Sequence, residues 1–298
     1  MDVPKILFTG DGSANEFQSI LETLNKNCIS TQVPLNRIEE ADEALHSADL
    51  IVILQSRRGQ FQQSQVDAIR DLAPLKPIVN LLGSRCEGDL RDGTALKGVV
   101  RLFWYQWPTR LALFWRQRTR FGMSSWHLPP TATDTDRWEW EQTGYAMFSD
   151  GSSDRGSRLD STEMADRPIH LAVIARDRTG FESIVEIARS RGWKATFLTG
   201  HLNEQVDLVC IDGDSLDSWM LGRLAWIGQV LPGIPRIVLL NFPRIHDVEI
   251  LRRAGIPWFL GKPFRNEEFH LVAQRALDNP DETCFIGGIA QPRNLATA

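Results

Sequence analysis

The sequence predicts an α/β protein made of two three-layer domains, each with a five-stranded parallel sheet between helices. Three observations carry that expectation. Short runs rich in β-branched and leucine residues alternate with segments of helical period along most of the chain. The order of these segments repeats in the second half. At 298 residues, the chain is also long enough for two domains that each bury a core.

In the first half the strand segments are KILFTG (Lys5–Gly10), CISTQV (Cys28–Val33), DLIVIL (Asp49–Leu54), PIVNLLG (Pro77–Gly83) and VVRLFWY (Val99–Tyr105). Each is a short apolar run, the length of a buried strand and too short for a packed helix. Helices are expected between or after them at Glu16–Asn25, Ile38–His46, Gln62–Leu72 and Thr109–Arg118. In the second half the strands are Leu171–Ala175, Lys194–Leu198, Asp207–Asp212, Arg236–Asn241 and Trp258–Lys262. Helices are expected at Phe181–Arg191, Trp219–Gln229, Ile245–Ala254 and Asn266–Leu277. The pairs Asp49/Asp207 and Pro77/Pro235 are each 158 residues apart, an offset shared by two separate strands that points to internal duplication.

The expected domains are therefore 1–117 and 167–279, joined by a linker over 118–166 and followed by a flexible tail over 280–298. The linker assignment rests on Pro129-Pro130, the TATDTD run and the Gly/Ser/Asp stretch from Ser149 to Ser161. Between Asp134 and Asp166 nine acids face three arginines, so the acidity of a chain with net charge −5 is concentrated there. Trp126, Trp138, Trp140, Tyr145 and Phe148 give the same stretch more aromatic surface than a solvated linker carries, so part of it is expected to dock on a domain.

Composition narrows the function classes. No uninterrupted apolar run approaches the roughly 20 residues of a membrane span, and MDVPKILFTGDG reads as a first strand and not as a signal peptide. A cytoplasmic location is the expectation. Cys28, Cys86, Cys210 and Cys284 form no CxxC pair, and the six histidines form no HxH or HExxH, so neither a zinc site nor a disulfide framework is expected. The mild negative charge gives no general attraction to nucleic acid.

The second half carries a specific pattern. Asp207-Leu208-Val209-Cys210-Ile211-Asp212 ends a strand on an aspartate. Ala254-Gly255-Ile256 then precedes a last strand that runs Trp258-Phe259-Leu260-Gly261-Lys262-Pro263-Phe264. Residues 167–279 thereby resemble the receiver domain of two-component response regulators. The resemblance implies a flavodoxin-like fold, Asp212 as the phospho-acceptor and Lys262 as the pocket lysine. The chemistry fits: a strand-terminal aspartate lies in the crevice at the carboxyl ends of a doubly wound sheet, and a lysine from another strand end pairs with an incoming phosphoryl oxygen.

The departures from that pattern bear on function. Receivers end the first strand on two acids that hold Mg²⁺, and those places fall on Ala175 and Arg176, with Asp177 one step late. Asp177 and Asp212 are then only weak metal candidates, Asp214 a substitute ligand, and Mg²⁺ the only cofactor to consider, at weak affinity. Arg176 is a candidate to supply the missing positive charge beside Asp212. The place of the switch hydroxyl falls on Leu240, with Asn241 next.

The first half resembles a receiver only in layout. Gly10 and Asp11 occupy the acid-pair places, Leu54 and Gln55 the acceptor place, Leu82 the hydroxyl place, and Tyr105-Gln106-Trp107-Pro108 the Lys-Pro place. Gly10-Asp11-Gly12 also opens a turn of the kind that binds phosphates, but Asn15 stands where GxGxxG needs its third glycine. The Gly83–Asp89 loop has polar residues a site would use, without a base that could activate Cys86. Phe103, Trp104, Tyr105, Trp107, Phe114 and Trp115 lie among five arginines, a composition of packed edges and, less often, of single-stranded nucleic-acid sites.

The function expected is a non-enzymatic signalling or scaffold protein of tandem pseudo-receivers. It would bind protein partners, a second copy of this chain among them, and no nucleic acid or membrane. No helix-turn-helix or catalytic module follows the second half, so output is expected through contact. Two alternatives stand beside it: a working receiver phosphorylated on Asp212, and a nucleotide-binding protein or enzyme using the Gly10–Asn15 turn.

Overall fold

A computed structural model describes residues 4–24, 28–88, 91, 95–149, 169–198 and 205–279. The chain divides into two compact units, each holding one sheet of five parallel strands.

In the first unit β1 (Lys5–Gly10), α1 (Asn15–Leu24), β2 (Ile29–Val33), α2 (Asp42–Ser47), β3 (Leu50–Arg57), α3 (Gln63–Leu72), β4 (Ile78–Arg85), β5 (Val100–Phe103), α4 (Trp107–Phe121) and α5 (Asp134–Ser149) follow in order. The sheet order is β2-β1-β3-β4-β5. The second unit runs β6 (His170–Ala175), α6 (Arg178–Arg189), β7 (Lys194–Phe197), β8 (Leu208–Asp212), α7 (Ser218–Val230), β9 (Arg236–Asn241), α8 (Ile245–Arg253), β10 (Trp258–Lys262) and α9 (Asn266–Asp278). Its order, β7-β6-β8-β9-β10, is the same 2-1-3-4-5 arrangement. That order is the flavodoxin-like one, with the ligand crevice where the order reverses at the carboxyl ends of the strands.

Strand alternation builds the layers. In the second unit Leu171, Val173, Cys210, Leu239 and Trp258 face Ile184 of α6 and Phe269 and Val272 of α9 in one core. The intervening Ala172, Ile174, Val209, Ile211 and Val238 are buried too, so the opposite face of the sheet is also covered. In the first unit Leu7, Ile51 and Ile53 meet Val66 and Ile69 of α3, and on the other face Phe8 meets the Trp107 ring edge-on at 6.3 Å.

The two units share a local device at the 158-residue offset. Asp49 Oδ2 accepts from the Lys5 amide at 2.9 Å, and Asp207 Oδ2 accepts from the His170 amide at 2.8 Å. Each aspartate caps the start of its unit's first strand from the residue before the third.

Two expectations need correction. Ile38–His46 is not one α-helix: a 3₁₀ segment at Leu35–Ala41, kinked at Arg37, precedes the short α2. The second concerns the expected linker, much of which is structured. α4 continues to Phe121 and is closed by Gly122 in the left-handed conformation at φ 73°. Trp126 is then buried and stacks on Phe114 at 4.6 Å, and Trp138 stays half exposed. TATDTD leaves a turn in which the Ala132 amide donates to the Pro129 carbonyl at 2.9 Å, and then starts a helix at Asp134. The Thr133 hydroxyl accepts from the Asp136 amide at 3.1 Å, while Asp136 Oδ2 accepts from the Thr133 amide at 2.7 Å, a reciprocal cap that opens α5. The rest of the expected linker, 150–166, and the tail from 280 lie outside the described residues, as does Cys284. Among the described residues no helix is long and apolar enough to cross a membrane.

Candidate functional site

The crevice of the second unit is built from the ends of β6, β8, β9 and β10. Asp212 closes β8, opposite Ala175 of β6 in the register of the sheet. Lys262 closes β10, and its ammonium reaches past β9 to lie 2.6 Å from Asp212 Oδ1. Both side chains are largely sheltered, at 13% exposure for the aspartate and 28% for the lysine. Oδ1 is buried and receives no aligned hydrogen bond, so the contact with Lys262 is a close charge pair. The sequence-predicted acceptor and lysine are therefore together.

The other predicted residues sit around this pair in different roles. Asp177 is the N-cap of α6, where its Oδ1 accepts from the Gly180 amide at 2.8 Å. Gly180 brings the first turn of α6 against the pair: a β-carbon there would collide with Asp212 Oδ2 and lie 3.6 Å from Asp177 Oδ1. Asp214 is clasped to Asn241, whose Nδ2 donates to Asp214 Oδ1 at 2.8 Å and whose amide donates to the Asp214 carbonyl at 3.0 Å. This clasp ties the loop after β8 to the end of β9. Leu240 is buried, and its side chain offers no hydroxyl to the crevice.

Arg176 does not supply charge to Asp212. Its guanidinium is paired with Asp217 and lies over the Trp219 ring at 4.8 Å. Asp217 in turn caps α7, its Oδ1 accepting from the Met220 amide at 3.0 Å. That amide bond, followed by Arg176, holds the Asp217 carboxyl below the usual range. Asp217, Trp219 and Gly180 were not singled out in the sequence. An aspartate just before a helix and a glycine in a first helical turn are the only signals they leave. Cys210 beneath the pair is fully buried, and burial raises its thiol well above the ordinary value, so it is no nucleophile.

The donor set does not fit a Mg²⁺ ion. One Asp212 oxygen is engaged by an ammonium, one Asp177 oxygen by a helix cap, and Asp214 by Asn241. Among the described residues no three His, Cys, Asp or Glu side chains gather to hold a metal.

The corresponding crevice of the first unit is closed on itself. Asp11 accepts from the Ser13 hydroxyl at 2.5 Å and the Ser56 hydroxyl at 2.6 Å, and the Ser13 amide bonds the same carboxylate at 3.2 Å. These bonds, Ser13's first, hold its carboxyl down to about 2. A fixed carboxylate thus takes both Ser13 donors of the Gly10–Asn15 turn, which a phosphate would use. Cys86 is buried, its Sγ 3.3 Å from the Gln55 carbonyl. Trp104, Trp107 and Phe114 are core residues, which assigns the arginine-flanked aromatic run to packing.

No protein-family model matches the sequence, and no curated protein is similar to it. Solved structures of one-domain size are similar in shape. A response regulator receiver domain protein from Methanospirillum hungatei is 16% identical over 38% of this chain and 96% of its own, with a TM-score of 0.34. The signal receiver domain of an HD domain-containing protein from Pseudomonas fluorescens is 20% identical over 38% and 97%, with a TM-score of 0.32. A response regulator from Thermotoga maritima is 17% identical over 38% and 99%, at 0.33. The chain contains a receiver-like domain. That description rests on the 2-1-3-4-5 sheet and on the strand-end placement of Asp212 and Lys262.

Proposed function

We propose that the chain is a signalling protein of tandem receiver-like domains that acts through contact with protein partners and not through phosphoryl transfer. The observation that carries this reading is the closed state of the Asp212 crevice. Lys262 already neutralises the aspartate at 2.6 Å, and no pair of acids stands at the end of β6 to bring in a metal. Phosphoryl transfer to a carboxylate needs its negative oxygens and those of the anionic donor shielded together, and a single lysine supplies half the positive charge of a Mg²⁺ ion. Leu240 also removes the hydroxyl that would follow the phosphoryl group, so a modified Asp212 has no moving reporter.

The surface beside the crevice supports partner contact. α7 exposes Leu221 and Val230, and Arg176 and Arg223 lie against the Trp219 and Trp226 rings. Tryptophan and arginine are the anchors that dominate protein interfaces. A second reading, phosphorylation of Asp212, is favoured by one observation: the aspartate and lysine stand at the strand ends that this chemistry uses. Intact mass, melting temperature and oligomeric state measured with beryllofluoride or acetyl phosphate and Mg²⁺ separate the two. All three stay unchanged under the first. A Mg²⁺-dependent shift that disappears in Asp212→Asn establishes the second.

A further inference from the structure

The first unit contains a cavity away from its crevice. Its volume is about 280 Å³, and it is formed where the segment before β4, the start of β5 and the Trp126–Pro130 turn meet α3 and α5. Arg70, Lys76, His127 and Arg137 line it, and none of the described lining residues is acidic. Trp126, Ile78 and Val100 form an apolar wall.

Arg137 is the unusual member. It is 5% exposed, yet among the described residues no carboxylate lies within ion-pair distance of it, and a hydrogen bond runs from its Nη1 to the Ser125 carbonyl at 2.8 Å. Asp134 and Asp136, whose charges favour the cation from a distance, stand exposed at the start of α5, the latter held on Thr133, and Glu141 accepts from the Ser125 hydroxyl at 2.5 Å. A buried guanidinium is ordinarily paired, because a cation that leaves water without a partner loses its solvation uncompensated. Arg70 is also half-buried and bonded only to carbonyls, those of Lys76 at 2.9 Å, Gly98 at 2.7 Å and Pro74 at 3.5 Å. Burial lowers the basicity of Arg70, and the charge of Arg137 lowers it further, so the two cations act on each other across this region. Asp49, which acts on Lys76 from a distance, is itself paired with Arg118 at 2.6 Å. The Ser124 amide donates to His127 Nδ1 at 3.1 Å, which leaves Nε2 to carry the proton of the neutral ring.

We propose that this cavity binds a small molecule through a phosphate dianion. Two arginines and a lysine line one space, and their summed charge matches a group with several equivalent oxygens and two negative charges. A single carboxylate would leave most of the positive charge uncompensated. The carbonyls that hold Arg70 and Arg137 fix their guanidinium groups before the ligand arrives, which lowers the ordering cost of binding. The cavity exceeds one phosphate group in size, and the Trp126 wall accepts an apolar remainder of the molecule.

Calorimetric titration of the full chain with inorganic phosphate, at ionic strength held constant with chloride, tests the assignment. Saturable one-to-one binding is expected, weaker by about tenfold or more in Lys76→Glu, since a charge-assisted contact becomes a repulsion. Lys76 is a partly exposed loop residue, and its replacement leaves the far-ultraviolet circular dichroism unchanged. Arg137→Lys is expected to weaken binding comparably. If that variant fails to fold, Lys76→Glu alone decides. Absence of saturable binding, or equal affinity in wild type and Lys76→Glu, overturns the proposal. Tighter binding of malonate than of phosphate overturns the phosphate assignment in favour of a dicarboxylate.

Discussion

Lys262 Nζ lies 2.6 Å from Asp212 Oδ1 although their strands are not neighbours, since β9 runs between β8 and β10. The two side chains must together bridge two strand spacings, across the end of β9. The two partners differ in how easily each recovers water if the other is removed.

That difference gives the first prediction. Removing Lys262 leaves a 13% exposed carboxylate without its charge partner, whereas removing the charge of Asp212 leaves an ammonium on a flexible stem that can turn to solvent. Lys262→Met is expected to destabilise the second unit by about 1–3 kcal/mol, and Asp212→Asn by clearly less. Urea denaturation of both variants checks the order. Equal costs would mean that the pair is as solvated as a surface bridge.

Gly180 gives a prediction of opposite sign to the usual one. In an exposed helical turn Gly→Ala gains up to about 1 kcal/mol. Here the new methyl would meet Asp212 Oδ2 and force it off Lys262, an overpacking expected to cost about 1–3 kcal/mol. In an Asp212→Ala background the obstacle is gone, so Gly180→Ala is expected to become neutral or stabilising. A double-mutant cycle by urea denaturation reads this coupling, and additive effects would place Gly180 away from the pair.

Much of the fold was legible, and for a physical reason. Central parallel strands are buried on both faces and spell themselves as unbroken β-branched runs, as in Leu50–Leu54 and Ile237–Leu240. Asp212 and Lys262 were legible because the Asp207–Asp212 run and Lys262-Pro263 resemble a receiver's, and the sheet order then puts both at strand ends. Arg176 was not, because its choice of Asp217 and Trp219 depends on how the loop after β8 lies, which no local pattern encodes. Thr133 and Asp136 were misread because capping residues and turn residues are the same types. The cavity around Arg137 leaves no motif at all, since its cations come from three separate segments.

Asp11 yields a prediction in the first unit. Its carboxyl is held down to about 2 by the Ser13 hydroxyl and then by Ser56. A depressed folded value contributes stability above the unfolded value near 3.8, and that contribution is lost as pH falls from about 4 toward 2. The Asp11 carbon resonance followed by nuclear magnetic resonance is expected to titrate near 2 in the wild type and to move toward the ordinary range in Ser13→Ala. A wild-type midpoint near 4 would dissolve the network.

The last prediction concerns His270 on α9, a buried histidine with both ring nitrogens engaged. The Arg191 side chain donates to Nδ1 at 3.4 Å, and Nε2 faces the Ile187 carbonyl at 2.9 Å. A nitrogen that accepts from a guanidinium cannot carry a proton, so the ring is neutral with its hydrogen on Nε2, donating to the carbonyl. The Trp193 ring meets it edge-on at 5.4 Å, and burial, with a smaller push from Arg191, lowers its value to about 4. The Ile187 carbonyl and Glu267 act the other way and are outweighed. The sign of the pH effect follows. Above pH 6.5 the ring is neutral folded and unfolded, and the group costs nothing. As pH falls from about 6.5 toward 4 the unfolded chain takes up a proton that the folded one refuses, so stability drops by up to about 1.4 kcal/mol per pH unit in that window. His270→Gln keeps a donor for Ile187 and an acceptor for Arg191 but does not titrate. Its stability relative to wild type, from urea denaturation at pH 7 and pH 5, is therefore expected to improve at the lower pH. His127 in the first unit is also lowered by burial, but it is present in both proteins and cancels in the comparison. An unchanged difference between the two pH values, or a His270 ring proton that titrates near 6.5, would show that the ring accepts its proton in place and would remove it as the acid-sensitive point of the second unit.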